Sequence, residues 1–441
     1  MRPTRAQRRN FLTRSLAISA SAAAWGGFHI NPAPAIASDS PNEKLNLAAV
    51  GATGRAGANI AGCKSQNIVA IADVDANLLD KAGADYPSSK RYRDFRVMLE
   101  QESDRIDGVL VGTPDHTHAP AAAMAMRMKK HVYCEKPLTH TVHECRVLSD
   151  LAKANSLVTQ MGNQIHAGAN YRRVVELIRA GAIGPVEETH VWVPTEYSGG
   201  KFTSGSPVPA GLDWDLWLGP TVERPYSEGA HPFHWRRFWD FGTGALGDFG
   251  CHYMDLVHWA LDLRAPTTIS ARGPEVDPVS PPSWVIVDYD YPARGDQPPV
   301  RMTWYDGGKR PEALLGLKDA EGKPLDWRSG QLFIGRDGML ISDYGRHLLL
   351  PADKYADFQR PEPTIPDSIG HHAEWIEAVR TGGPTTCNFD YAGALTEAVL
   401  LGVVAYRSGE KVHWDADNLR VTNSPAAQAL LHKEYRKGWS L

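Results

Sequence analysis

From residue 45 onward the chain alternates short apolar runs with longer stretches in which apolar side chains recur every three or four positions. Residues 45–50, 68–72, 106–112, 131–134 and 157–161 are too short for helices and read as strands buried on both faces. Between them, residues 55–63 and the Ala/Met-rich stretch 119–129 carry the helical period. Strands alternating with helices predict an α/β fold, with an N-terminal Rossmann doubly wound parallel sheet over residues 45–165.

Near residue 166 the pattern changes. A helix at 171–180 stops at Gly181, and 186–193 then alternates polar and apolar residues like a strand half open to solvent. A Gly/Pro/Trp-rich excursion fills 195–243 and leads into a helix at 245–261. Further strands are predicted at 267–271, 284–291, 300–305, 331–335 and 338–342, and amphipathic helices at 371–380 and 391–407. Hairpin-like spacing predicts a C-terminal α+β domain, residues 166–441, built on a large open, mostly antiparallel sheet. One face of that sheet is expected to meet helices. The other, read as carrying Val186, Val191, Trp284, Ile286, Met302 and Trp304, predicts sheet-to-sheet association into a homodimer or homotetramer. No apolar run after the leader reads as long enough to span a bilayer.

The first 37 residues stand apart. Gln7-Arg8-Arg9-Asn10-Phe11-Leu12-Thr13 precedes a mild apolar stretch at 16–28, and Ala35-Ile36-Ala37 offers small residues for cleavage. This is the order of parts of a Tat-type signal peptide (1–37), followed by a loose linker (38–44), and it predicts an exported, periplasmic protein. The leader holds five arginines and no acid, so the remainder carries 42 basic against 51 acidic residues, a net of −9. That balance argues against nucleic acid as a partner. Five cysteines without a Cys-x-x-Cys pair argue against a disulfide framework.

Chemistry concentrates in four motifs. The first is the turn Gly51-Ala52-Thr53-Gly54-Arg55-Ala56-Gly57, which follows a strand and opens a helix, where phosphate can approach backbone N–H groups. Asp73, 22 residues after Gly51, ends the next strand; a carboxylate there accepts ribose hydroxyls and repels a 2′-phosphate, favouring NAD over NADP. Thr113-Pro114-Asp115-His116-Thr117-His118 and Glu135-Lys136-Pro137 fall at carboxyl ends of parallel strands, the edge where doubly wound sheets hold ligands. In the fourth motif, Asp248 and His252 stand four apart on a helix with Asp255 on the same face, so a carboxylate can orient an imidazole or help take a hydroxyl proton. His116 and His118 lack a Cys or carboxylate at ligand spacing, and no metal is expected. Trp192, Trp214, Trp217, Trp235 and Trp239 interleave with His231, His234, Arg236 and Arg237; aromatic faces suit sugar rings, and the Asp213–Trp217 segment reads equally as core packing or a subunit contact.

By the order of these motifs, residues 45–441 resemble the Gfo/Idh/MocA family, named for glucose–fructose oxidoreductase and inositol dehydrogenase. The turn departs from the family pattern at Thr53 and Ala56, where glycines are commoner. The resemblance implies NAD as cofactor and a catalytic set of His252 as base, Lys136 assisting it, and Asp248. It places Gly51, Thr53, Gly54, Arg55, Ala56, Asp73, Thr113, Pro114, Asp115, His118, Glu135, Lys136, Asn163 and Gln164 against the cofactor, with Glu135 as a cofactor-facing acid. Trp192, His231, His234, Trp235, Arg236, Arg237 and Asp255 are the expected substrate contacts. The implied activity is oxidation of a hydroxyl on a sugar, polyol or glycoside, with the cofactor retained and recycled. Two alternatives are an NAD-dependent glycoside hydrolase or lyase working by transient oxidation and elimination, and a non-catalytic sugar-and-NAD sensor. The sensor is disfavoured because Lys136, Asp248 and His252 are all present.

Overall fold

The structure, a computed structural model, describes residues 44–203 and 205–441. The signal peptide and all but the last residue of the linker lie outside the described residues. Strand and helix alternate through β1 (Asn46–Val50), α1 (Gly54–Gly62), β2 (Asn67–Ala72), α2 (Ala76–Asp85), β3 (Lys90–Tyr92), α3 (Phe95–Glu102), β4 (Gly108–Val111), α4 (His118–Arg127), β5 (His131–Glu135), α5 (Val142–Ala154) and β6 (Thr159–Gly162). The six strands run parallel in the order β3-β2-β1-β4-β5-β6, so the strand order reverses direction at β1, where β1 pairs with both β2 and β4. A crevice outside the carboxyl ends of β1 and β4 follows from that reversal. Apolar residues on both faces of these strands feed two cores.

Beyond α6 (Ala169–Arg179) the chain builds a nine-stranded sheet from β7 (Val186–Trp192), β8 (Thr268–Arg272), β9 (Ile286–Tyr291), β10 (Val300–Tyr305), β11 (Gly330–Gly335), β12 (Met339–Ser342), β13 (His347–Leu350), β14 (Val412–Asp415) and β15 (Arg420–Val421). Every pairing in it is antiparallel except β7 with β10. Helices α7 (Trp214–Leu218), α8 (Gly244–Leu261), α9 (His371–Thr381), α10 (Phe389–Ser408) and α11 (Pro425–Ala429) complete the chain. The fold is therefore a Rossmann sheet followed by a domain with a large mixed sheet.

The faces of this second sheet are the reverse of the sequence expectation. Val186, Val191, Met302 and Trp304 are buried in the same core as α8 and α10. On the central strands the opposite face is polar: Asp288 receives Arg272 at 2.5 Å and the Thr303 hydroxyl at 2.8 Å, and His190 lies 3.0 Å from Glu188. Ile286 is half-buried on that face, and Trp284 lies before β9 beneath the Lys309 ammonium. Alternation separates two faces but does not say which one meets the helices; the more apolar set does, because burial favours it. On these central strands the surface read as an apolar association face thus carries paired charges.

Two late helices return to the first sheet. Trp375 of α9 is fully buried against Tyr133 of β5, and a side chain at Gly108 of β4 would strike its ring. α10 is long and apolar enough to cross a membrane by composition, which the sequence reading missed; 83% of that stretch is buried inside the protein, where it packs on α5 and α8. All five cysteines are buried and free.

Candidate active site

The turn after β1 is shaped by what cannot be there. Gly51 sits at φ +97°, donates its N–H to Ala72 O at 2.8 Å, and would bring a Cβ within 2.9 Å of Ala56 Cβ and 3.2 Å of Gly112 O. Gly112, ending β4, is tighter still: its Cβ would lie 2.7 Å from Ala56 Cα. Ala56 therefore takes a position where the helix must lie almost on the strand. Thr53 precedes α1 without capping it, so first-turn N–H groups have no side-chain partner; Gly54 and Arg55 are exposed beside them. Asp73 is held in place by Ala52 N–H on one oxygen and Asp75 N–H on the other, each at 2.9 Å, leaving a lone pair on each for ribose hydroxyls. A glycine cradle, an uncapped helix N-terminus and a fixed carboxylate are the donor and acceptor set a dinucleotide requires, so the residues present fit NAD.

Across the crevice, His118 ties two loops together, with Nε2 2.7 Å from Thr113 O and Nδ1 2.8 Å from Pro137 O. It is buried, and both nitrogens are engaged, so it positions Thr113, Pro114 and Lys136 rather than touching a cofactor. Glu135 is likewise buried, accepting from Asn59 (3.0 Å) and Gln164 (2.9 Å). It faces the protein and links α1 to the turn after β6, which corrects its reading as a cofactor-facing acid. Asn163 is fully buried with both amide groups engaged, so it too is withdrawn from the cofactor. Gln164 remains half-buried at that edge.

Lys136 reaches α8. Its ammonium donates to the Asp248 backbone carbonyl at 2.8 Å and to the Asp248 carboxylate. That carboxylate also accepts the Tyr197 hydroxyl at 2.9 Å and pairs with Arg236 at 3.2 Å. Burial alone would raise its pKa, but Lys136 and Arg236 together hold it well below the usual carboxylate range. One turn later, His252 Nδ1 lies 2.5 Å from Asn163 Oδ1, whose amide is oriented by its donation to Cys251 O at 2.9 Å. An amide oxygen can only accept, so Nδ1 carries the hydrogen and Nε2 keeps a lone pair. Burial first, then the Lys136 charge, lower the His252 pKa to about 3, so the ring is a neutral acceptor.

Asp115 lies beneath this group, accepting the Thr243 hydroxyl at 2.8 Å. Burial, reinforced by the Asp248 charge, raises its pKa to about 7. A carboxyl whose folded pKa is raised loses stability as pH climbs from its unfolded value near 4 to about 7, because the unfolded chain ionises first. The penalty, up to about 4 kcal/mol, is complete above pH 7. Asp115→Asn keeps an acceptor for Thr243 and removes the titration. It is expected to raise Tm at pH 8 relative to the parent and to leave Tm at pH 4 nearly unchanged; equal shifts at both pH values in a calorimetric scan would contradict the assignment.

The expected substrate residues scatter. Arg236 belongs to the cluster, resting at 4.1 Å over Trp235, which is itself buried. Trp192 lies on the outer face of the second sheet, donating to Trp327 O under Leu332 and Ile341. Asp255 is fully buried between His166 and the Tyr391 hydroxyl and anchors α8 from below. His234 and Arg237 are exposed. His231 pairs with Asp75 at 3.2 Å, two residues from Asp73, and so stands at the ribose end of the crevice. Tyr197 and Tyr344 were not foreseen. Tyr344 stacks on Tyr253 at 4.6 Å and stands 6.3 Å from the His252 ring, while Phe249 stands 6.5 Å from that ring and stacks on Tyr197. Both tyrosines sit in loops with no periodic signal.

The 195–243 excursion docks on the loops that follow β2 and β3 of the first sheet. Ala76 N–H donates to Gly211 O at 3.0 Å, Asp213 N–H to Val74 O at 2.9 Å, and Arg93 bridges both segments. Its Trp214, Trp217, Trp235 and Phe241 form their own core, which settles the Asp213–Trp217 segment as packing. His116 is held by that core, its Nε2 2.9 Å from Trp217 O.

Residues 45–163 match the model of an oxidoreductase family with an NAD-binding Rossmann fold, and residues 187–297 match the alpha/beta C-terminal domain of the same family. A myo-inositol 2-dehydrogenase of Thermotoga maritima is 26% identical over 33% of this chain and 40% of its own length. A glycosyl hydrolase family 109 protein of Shewanella pealeana is 31% identical over 26% of this chain and 27% of its own. The chain aligns with between 24% and 40% of the length of the first curated relatives it matches. The crystal structure of GenD2 from gentamicin A biosynthesis in complex with NAD shares the fold, with a TM-score of 0.57 and 18% identity over 86% of this chain and 98% of that one.

Proposed function

The chain belongs to the Gfo/Idh/MocA oxidoreductase family, both of whose domain models match it across just over half its length, and from that premise we propose that it oxidises a hydroxyl of a sugar, polyol or glycoside. The observation that carries this reading is the Lys136–Asp248–His252 cluster at the carboxyl end of β5, facing the cradle that fits NAD. When bound, NAD supplies the hydride acceptor. His252 Nε2 takes the hydroxyl proton, since Asn163 holds the ring in the tautomer with that lone pair free. Lys136 stabilises the oxygen as it loses its proton, and Asp248 holds Lys136 in place. Tyr197, Phe249 and Tyr344 flank the space above His252 with ring faces suited to a sugar.

The docked excursion supports a retained cofactor, because it covers the ribose end beside Asp73 and Asp75. Retention suits the Tat-type leader, since an exported dehydrogenase would otherwise meet little free NAD. The likeness to glycosyl hydrolase family 109 proteins favours a second reading, in which oxidation, elimination of the leaving group and reduction close a cycle on one glycoside. Purified protein is expected to carry stoichiometric NAD through gel filtration. With aryl glycosides, free aglycone without net NADH would select the cleavage cycle, and a keto product with stoichiometric NADH the simple oxidation. Protein free of nucleotide, with millimolar NAD affinity on titration, would overturn the retention reading.

A further inference from the structure

A second cavity lies behind the first turn of α8, away from the crevice. It encloses about 180 Å³ and is bounded by Gly242 and Thr243, which lead into α8, by Trp239, and by the C-terminal segment around Lys433. Its cations are not equivalent. Lys433 is fully engaged, at 3.2 Å from Glu144, 3.1 Å from His140 Nδ1 and 3.3 Å from His116 O. His140 is engaged as well, its other nitrogen 3.3 Å from Gly242 O. Arg407, near the end of α10, rests over the Trp239 ring at 5.0 Å and has neither a hydrogen bond nor an ion pair among the described residues. Asp240, whose charge acts on Arg407, is itself paired with Arg224. A half-buried guanidinium whose pKa burial lowers, with five donors and no acceptor, suits an anion. The remaining wall mixes Val142, Leu400, Val403 and Leu430 with the polar Thr141 and Thr221, and at its rim the exposed Glu434 carboxylate lies 3.8 Å from His432.

We propose that this cavity binds a small organic carboxylate with an apolar body, its carboxylate on Arg407 and its body against the aliphatic wall. A planar guanidinium presents two parallel N–H groups that match a carboxylate's two oxygens. The volume suits a single ring, since a dry cavity of about 150 Å³ accommodates benzene. Thr243 lines the cavity and donates its hydroxyl to Asp115 at 2.8 Å, so the cavity and the catalytic cluster share one residue.

The test is calorimetric titration of the full protein, with its bound nucleotide, using sodium benzoate as the probe. One equivalent is expected to bind. Arg407→Gln is expected to weaken binding tenfold or more, and Arg407→Lys to recover part of the loss, with both variants folded by circular dichroism. Benzyl alcohol, the same size without charge, is expected to bind at least tenfold more weakly than benzoate. Absence of benzoate binding, equal affinity in Arg407→Gln, equal affinity for benzyl alcohol, or displacement of benzoate by inorganic phosphate at equal concentration would each overturn the proposal.

Discussion

Turnover by the Lys136→Ala protein is expected to fall about a thousandfold while NAD remains bound. The Lys136 ammonium joins β5 to α8 through two contacts on Asp248, and its charge also lowers the His252 pKa. Negative charge grows on the substrate oxygen as His252 receives the proton, and a fixed cation in a site closed to water stabilises that charge most where it develops. Alanine removes this stabilisation and leaves the Asp248 carboxylate with Arg236 and Tyr197 as its side-chain partners among the described residues. His252→Asn is expected to cost a comparable factor, and the double variant little more than either single one, because the two side chains act on one proton transfer. Single-turnover reduction of bound NAD measures the step directly. Full activity in Lys136→Ala would sink the assignment, and loss of bound NAD would make Lys136 a cofactor anchor instead.

Gly51→Val is expected to lower NAD affinity by two orders of magnitude or more. At φ +97° a β-branched residue is strained by about 1–2 kcal/mol before any contact is counted. Its Cβ would then lie 2.9 Å from Ala56 Cβ and 3.2 Å from Gly112 O, backbone and core atoms that cannot swing aside. Relief requires α1 to move away from β4, and with it the uncapped N–H groups that face phosphate. Nucleotide content after purification, followed by NAD titration of folded protein, measures the effect; affinity within threefold of the parent would remove the cofactor from this turn.

The first sheet was legible because its strands are apolar on both faces and its glycines sit where only glycines fit. β3 was not, since Lys90–Tyr92 is a short edge strand with no apolar run. α5 could have been found from its capping box, Thr141 with Glu144, which stands plainly in the sequence. In the catalytic cluster, Asp248 and His252 were legible from their helical spacing, whereas the orienting role of Asn163 was not, because it depends on an amide turned by a carbonyl 88 residues away. Trp192 and Asp255 misled for a shared reason. An aromatic ring and a carboxylate look the same in sequence whether they face a ligand or a partner inside the protein, and here Trp327, His166 and Tyr391 are those partners.

The ring of Trp375 carries a consequence for the order in which the molecule can be assembled. It covers β4 and β5 on the face where Leu47, Leu110 and Tyr133 are buried, yet it follows Gly108 by 267 positions. During synthesis Ile60 of α1 and Leu79 and Ala82 of α2 emerge with the strands and join the same core, but the part that Trp375 covers stays open until α9 has left the ribosome. A fragment ending near residue 165 would leave the patch under Trp375 and Ile376 uncovered permanently, so the first sheet is a separate layer of the architecture without being a separable piece of the chain.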